Sequence, residues 1–229
     1  MSKTIIITGA SGGLGKVVVK NLSEDGHNLY VTTGSKQTDA FDGLSNLITQ
    51  AVDLTDGAAA VEFVSDTAQK ADHIHAGIFL VGGYAPGDIH ATDHALLEKM
   101  FNLNFYTAFN MVKPLMEHFE SNGGGQFIFI GARPALEADQ GKGNFAYALS
   151  KSLIFKMADF INSEGKSKNI TATVLVPSTI DTPLNREVMP DADFSKWVAA
   201  EDIAASVSFV LSEPGSKLRE TVLKVYNND

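Results

Sequence analysis

The sequence predicts an α/β chain built on a parallel sheet of about seven strands, doubly wound with helices on both faces. Three observations carry that expectation. Short apolar runs rich in Val, Ile and Phe recur along the 229 residues, and segments of helical length separate them. A glycine-rich turn joins the first run to the first helical segment. Strands alternating with helices of this length imply parallel pairing through right-handed crossovers. No repeat, low-complexity tract or linker interrupts the alternation, so residues 1–229 are expected to form a single domain.

Taken in order, Lys3-Thr-Ile-Ile-Ile-Thr8 is a β-branched run that reads as a buried strand. Gly9-Ala-Ser-Gly-Gly-Leu-Gly15 comes next, and Val17-Val-Val-Lys-Asn-Leu22 reads as the first turns of a helix. Strand, glycine turn and helix start together suit a phosphate. Glycines let the backbone approach the anion, and the free N–H groups of the helix start point at it. The spacing Gly9, Gly13, Gly15 differs from G-x-G-x-x-G, so the turn alone is a weak signal. Further strands are expected at Leu29–Thr33, Leu47–Val52, Gly77–Val81, Gln126–Ile130, Ile170–Val176 and Thr221–Val225. Helical patterns lie at 56–70, 92–119, 144–163 and 200–211.

Composition narrows the function classes. The chain has 44% hydrophobic residues and a mean hydropathy near zero, which describes a globular chain with material for a core. It has no cysteine, which excludes disulfides, thiol nucleophiles and thiolate metal sites. No apolar run approaches a membrane span. The first strand begins two residues after Met1, so no signal peptide is expected and a cytoplasmic location is the default. The net charge of −9 argues against nucleic acid as a partner and leaves small molecules open.

Chemistry concentrates in Phe145-Ala-Tyr-Ala-Leu-Ser-Lys-Ser-Leu-Ile-Phe, a segment that reads as helix and sets Tyr147 and Lys151 four apart on one face. A cation about 4 Å from a phenol, at an effective dielectric of ~20, is worth roughly 4 kcal/mol, or about three pKa units. Desolvation of the phenolate opposes this, so a smaller net drop is expected, with Tyr147 able to exchange a proton near neutrality. Alone, Tyr-x-x-x-Lys is common on helices.

Thr8-Gly9-x-x-x-Gly13-x-Gly15 together with Tyr147-x-x-x-Lys151 resembles the short-chain dehydrogenase/reductase family over essentially the whole chain. The resemblance implies a Rossmann-type sheet, NAD or NADP as cofactor, and proton transfer by Tyr147 and Lys151. It further implies that Thr8, Gly9, Ser11, Gly13, Leu14 and Gly15 hold the cofactor's phosphates, and that Asp53, with Leu54, contacts the adenine. Gly82, Pro177, Ile180 and Thr182 fall at cofactor positions, Ile180 holding the carboxamide by its backbone and Thr182 lying on the nicotinamide side. Asn104 falls where the family keeps a relay water. A homodimer or homotetramer is the oligomeric state implied.

The cofactor choice is read at the end of the second strand, about twenty residues past the glycine turn. Thr33-Gly34-Ser35-Lys36 offers no carboxylate there before Asp39. Ser35 can donate a hydrogen bond and Lys36 can pair with a 2′-phosphate, so NADP is favoured over NAD.

Two departures bear on the substrate. Ala132, in Gly131-Ala-Arg-Pro134, holds the place of the family's substrate-binding serine, and Leu80-Val-Gly-Gly-Tyr84 replaces the Asn-Ala-Gly after the fourth strand. Both resemble the quinonoid dihydropteridine reductases, as does Asp181-Thr-Pro through Met189-Pro-Asp-Ala-Asp-Phe-Ser-Lys-Trp197. This branch implies a quinonoid dihydropterin, or a similar heterocycle, as the small-molecule substrate, with Tyr84, Ala132, Arg133 and Trp197 on its side. Arg133 is either a donor replacing the serine or a surface residue, and Trp197 either substrate-side or core. The chain departs from the branch too: Tyr84 stands for its Trp, and the acidic ribose anchor is absent. The alternatives are an NADPH-dependent ketone or aldehyde reductase and, against the intact Tyr147, Lys151 and Asn104, a non-catalytic dinucleotide sensor. His90, Asp93 and His94 have metal-like spacing without a third ligand nearby, and Asp72-His73-Ile-His75 reads as a solvated turn, so no metal is expected.

Overall fold

In the computed structural model, which describes residues 2–34, 41–71 and 73–227, the first half alternates strand and helix. It runs β1 (Thr4–Thr8), α1 (Gly13–Glu24), β2 (Asn28–Thr33), β3 (Leu47–Ala51), α2 (Gly57–Ala71) and β4 (Ala76–Phe79). Next come α3 (His94–Phe101), a π turn (Asn102–Tyr106), α4 (Thr107–Ser121) and β5 (Gly125–Ile130). The second half holds a short α5 (Ala138–Gly141), α6 (Phe145–Gly165), β6 (Ile170–Pro177) and β7 (Ile180–Asp181). It closes with α7 (Pro183–Val188), β8 (Val198–Ala199), α8 (Ala200–Leu211) and β9 (Thr221–Val225).

Seven of these strands form a sheet in the order β3-β2-β1-β4-β5-β6-β9, parallel throughout. Ile5 pairs with Leu29 on one side and Ala76 on the other, and Phe129 pairs with Phe79 and Val174. A sheet covered on both faces needs strands apolar at every position, and β1 and β6 are buried along their whole length. The pleat divides them: Ile6, Phe127, Phe129, Ala172 and Val174 face the core under α2, α4 and α6. Ile5, Ile7, Ile128 and Leu175 face the opposite core under α1 and α8. In the first core the rings of Phe79 and Phe129 stack at 4.9 Å, and Phe119 meets Phe127 edge-to-face at 5.0 Å.

Strand order reverses between β1 and β4, since the chain winds outward from β1 to β3 and then returns beside β1. Crossovers leave on opposite sides there and open a crevice at the carboxyl ends of those strands. The expected helix over 92–119 is a correction: α3 and α4 are separated by the π turn, in which the Thr107 N–H reaches Asn102 O, five residues back. The π turn holds Asn104, whose side chain bonds the chain after β4.

The amino ends of the strands are tied by histidines. Lys3 N–H donates to His27 Nδ1 (3.1 Å), Thr4 N–H to His75 Nδ1 (3.1 Å) and Ile74 N–H to His118 Nε2 (3.0 Å). The turn before β4 is therefore structural rather than merely solvated. Each accepting nitrogen must be unprotonated. Burial lowers the pKa of all three imidazoles from the ordinary 6.5; neighbouring positive charge adds to it, and at His27 the Asp25 carboxylate partly opposes it. The unfolded chain then binds more protons than the folded one, so stability is full above the ordinary imidazole pKa and is lost as the pH falls below it. The melting temperature, followed by circular dichroism, should be level from about pH 8 to 7 and fall between about pH 6.5 and 5; a level curve across that lower range would contradict the tie.

Candidate active site

The crevice is made by close backbone approach. Gly9, with φ +70°, turns the chain out of β1, and a Cβ there would stand 2.8 Å from Val81 N and 2.9 Å from the Leu80 carbonyl carbon. The turn closes through Gly12 N–H donating to Gly9 O (3.1 Å). Gly15 packs its Cα against that same carbonyl oxygen, where a Cβ would overlap it. A Cβ on Gly13 would meet Thr182 Cγ2 at 3.0 Å, so the start of α1 touches the loop after β6. The N-cap of α1 is Gly12, which brings no capping side chain, and its first turn carries no acid. First-turn N–H groups without a competing side chain are a site for a phosphate. Leu14 packs on the second core, and Ser11 is half-buried in the turn.

The remaining sequence-predicted cofactor residues surround this crevice unequally. Thr8 is buried at the end of β1 and Pro177 at the end of β6. Ile180 pairs with Val198 across the short β7–β8 ladder, and Thr182 Oγ1 accepts the Asn185 N–H to cap α7. Asp53 is exposed, and its Oδ1 accepts from both the N–H (2.9 Å) and hydroxyl (2.6 Å) of Thr55, which hold its carboxyl below the usual range. Leu54 is buried and its carbonyl accepts from Asn110 Nδ2 (2.9 Å). Ser35 and Lys36 lie outside the described residues.

Beside the crevice stand Tyr147 and Lys151 on α6, with Asn104 facing them from the π turn. Lys151 is 6% exposed, and its Nζ donates to Ile130 O (2.9 Å) at the end of β5. Gly82 leaves the space they occupy: a Cβ there would stand 2.8 Å from Asn104 Oδ1 and 3.2 Å from Lys151 Nζ. Burial brings the Lys151 ammonium down to about 8. Burial also pushes the Tyr147 phenol up to about 12, and the neighbouring Tyr84 phenol pushes the same way. The expectation of a Tyr147 titrating near neutrality is thus corrected. Helix spacing aligns the two Cβ atoms, but the long lysine stem carries its charge to a backbone carbonyl, and desolvation of the phenolate wins.

Of the residues expected on the substrate side, Tyr84 sets its ring edge-to-face to Tyr147 at 5.2 Å and is 61% exposed. Ala132 is buried and has no hydrogen-bonding side chain to offer. Arg133 Nε donates to Glu137 Oε2 (3.0 Å) and its guanidinium lies 5.0 Å over the Tyr226 ring, so its engagement is with its own turn and the end of β9. Trp197 packs at 4.7 Å on Phe194, whose ring Arg186 covers at 4.6 Å while gripping Asp181 with two hydrogen bonds. Two features were missed in the sequence: the capped α7 and the buried Ser150, which links Tyr147 to Asn104. Ser150 could have been noticed, since a serine three residues after Tyr147 on a helix reaches back to its carbonyl. Among the described residues no cluster of three or more His, Asp or Glu side chains could hold a metal, and no helix is long and apolar enough to cross a membrane.

A family model described as short chain dehydrogenase matches residues 3–193. The chain belongs to the short-chain dehydrogenase/reductase family. As such it is an NAD(P)-dependent oxidoreductase acting on a small molecule. This short-chain dehydrogenase/reductase is 27% identical over 235 residues to the 3-oxoacyl-(acyl-carrier-protein) reductase MabA of Mycobacterium tuberculosis, spanning 98% of this chain and 92% of that protein. It is also 27% identical over 210 residues to the dihydropteridine reductase of Dictyostelium discoideum, spanning 89% and 85%. Its fold superposes with a TM-score of 0.90 on the structure of ElxO with NADP bound, at 18% identity over 98% of this chain and 97% of that one. A short-chain type dehydrogenase/reductase from Mycobacterium ulcerans gives 0.89 at 20% identity, over 100% and 90%.

The glycine cradle generates a direct test. Gly15→Ala sets a methyl against the Gly9 carbonyl, a backbone atom that cannot rotate away. Overpacking of this kind costs about 1–3 kcal/mol, more than the gain in helix propensity. The variant should melt lower and bind dinucleotide more weakly in a calorimetric titration; wild-type values of both would count against the cradle.

Proposed function

We propose that this protein is an NAD(P)H-dependent reductase in which Tyr147 gives a proton to a planar heterocycle, a quinonoid dihydropterin or a close analogue. The observation that carries the proposal is the Tyr84–Tyr147 pair, an aromatic wall next to a phenol; Ala132, which by its motif stands for the family's serine, supports it by offering no hydroxyl. The glycine cradle fits a dinucleotide pyrophosphate, because its open backbone would be filled by any side chain. Bound there, a reduced nicotinamide supplies a hydride. NADP is the proposed form, on the strength of Ser35 and Lys36 and of a missing carboxylate before Asp39.

The chain's own part is to orient and to move one proton. Tyr147, its phenol kept protonated by burial, donates O–H to the atom of the substrate that gains electron density. Lys151, anchored on Ile130 O, sets a cation at the floor of the crevice and favours the phenolate left behind. Asn104 is assigned to the proton path, and Asp53 to the adenine side. Tyr84 supplies a stacking or edge contact worth roughly 0.5–1.5 kcal/mol, with Trp197 closing the far side. A ketone reduced here would lack the donor that stabilises its oxyanion, a loss of about 10²–10³ in rate where such a donor is removed. A heterocycle that spreads charge over ring nitrogens loses little.

The second reading is a carbonyl reductase. It is supported by the 3-oxoacyl reductase likeness, which equals the dihydropteridine reductase likeness in identity and spans more of the chain. A panel separates the two: NADPH and NADH oxidation with quinonoid dihydropterin, simple ketones and a 3-oxoacyl thioester. The pterin with NADPH should give the highest kcat/KM, and Tyr84→Ala should raise its KM. An enzyme quick on carbonyls and inert to the pterin promotes the second reading.

Acid–base roles have their own signature. Tyr147→Phe should remove most turnover and leave NADPH affinity nearly unchanged. In the wild type, kcat for reduction should fall as the pH rises through about 8, where Lys151 loses its charge. The Tyr147 phenol, which titrates only at about 12, adds no ionisation below pH 10. A rate that climbs across pH 8–10, or a Tyr147→Phe enzyme with full turnover, would contradict the roles given.

A further inference from the structure

From the Tyr147 carbonyl a chain of hydrogen bonds runs through Ser150 and Asn104 to Gly83, the residue before Tyr84. Ser150 is its first link. It is fully buried, three residues after Tyr147 and one before Lys151. Its hydroxyl donates to the Tyr147 carbonyl oxygen (2.8 Å), and its oxygen accepts from Asn104 Nδ2 (3.0 Å). The other Asn104 Nδ2 proton goes to Gly83 O (3.0 Å), and Asn104 Oδ1 accepts the Gly83 N–H (2.8 Å). Donors and acceptors match in one sense only. A flipped amide would set NH₂ against the Gly83 N–H and oxygen against both the Gly83 carbonyl and the Ser150 oxygen.

The next residue along the chain is Tyr84, whose ring returns to Tyr147 edge-to-face at 5.2 Å and closes the circuit. Tyr84 is 61% exposed, so burial does little to hold it. Gly83 has no side chain, and a Cβ there would meet Leu103 Cδ2. The position of this segment is therefore set largely through Asn104, and Asn104 sits in a π turn.

We propose that Ser150 is a positioning residue which, through Asn104, fixes the Gly82–Tyr84 segment and so holds the Tyr84 ring against the Tyr147 phenol. The inference deepens the proposed function and rests on Tyr147 and Tyr84 lining the substrate site. Removing the hydroxyl leaves that buried Asn104 N–H only the weak acceptor Met100 Sδ, 3.7 Å from Nδ2, and the segment loosens where the aromatic wall stands.

The test uses the full chain with ring-labelled tyrosines. In the wild type, NMR should show a nuclear Overhauser contact between the Tyr84 and Tyr147 rings. In Ser150→Ala that contact should weaken while the far-ultraviolet dichroism and NADPH affinity persist. The KM for quinonoid dihydropterin should rise about two- to tenfold, the range one neutral hydrogen bond spans, with kcat changing less. In a Tyr84→Ala background, Ser150→Ala should add nothing further to KM, whereas a merely structural role would add in full. Ser150→Cys, nearly isosteric and a weaker hydrogen-bonding group, should fall between wild type and Ser150→Ala and serves in its place if the alanine variant does not fold. An unchanged ring contact, or KM effects that add across the two sites, would overturn the inference. Tyr147→Phe tests the underlying reading separately: full turnover there removes the proton donor, while the ring contact reports the positioning without any turnover.

Discussion

Three backbones meet at Gly9, and the rest of the crevice depends on their being able to do so. The turn out of β1 touches the chain leaving β4, at Val81 N and the Leu80 carbonyl, and α1 rests on the same turn through Gly15. Gly13 extends the contact to Thr182 on the loop after β6. With side chains at these positions the strand ends would be pushed apart, and the helix start would no longer face the crevice. The strand-order reversal between β1 and β4 decides where the crevice falls, and the glycines decide how narrow it is. Lys151 and Asn104 then crowd Gly82 from the other side, so both walls are shaped by residues without side chains.

Much of this was legible in the sequence, for reasons that can be named. Strands buried on both faces leave continuous β-branched and aromatic runs, and Thr4–Thr8 and Ile170–Pro177 announce themselves that way. The Tyr147–Lys151 spacing is legible because a helix fixes which Cβ atoms share a face. The direction of the Tyr147 shift was not. It depends on where the lysine ammonium ends after four methylenes and on how much water the phenol loses, neither of which spacing encodes.

Other features were hidden for different reasons. The π turn leaves no periodicity of its own, since 92–119 reads as one amphipathic stretch, and the partner its Asn104 finds, Gly83, lies outside that stretch. The segment holding α7 is exposed, Leu184, Val188 and Met189 included, and is stabilised by its caps at Thr182 and Asp193 and by the Arg186–Asp181 pair rather than by a core. Such local bonds give no hydrophobic signal. Arg133 shows the same blindness: its partners Glu137 and Tyr226 come from its own turn and from the far end of the chain.

The two-residue strands β7 and β8 have a further meaning. Ile180 and Asp181 pair with Val198 and Ala199, so the segment between them leaves and re-enters the body at one narrow neck. The loop is stapled at that neck, and Asn227, just past β9, ties its return by donating Nδ2 to Ser195 O (2.9 Å) and Trp197 O (3.1 Å). Doubling its length would add only about 0.6 kcal/mol of closure entropy, and rewriting its tip would leave the strands' register alone. Descendants of this protein can therefore lengthen or rewrite that loop while the sheet beneath it is inherited unaltered.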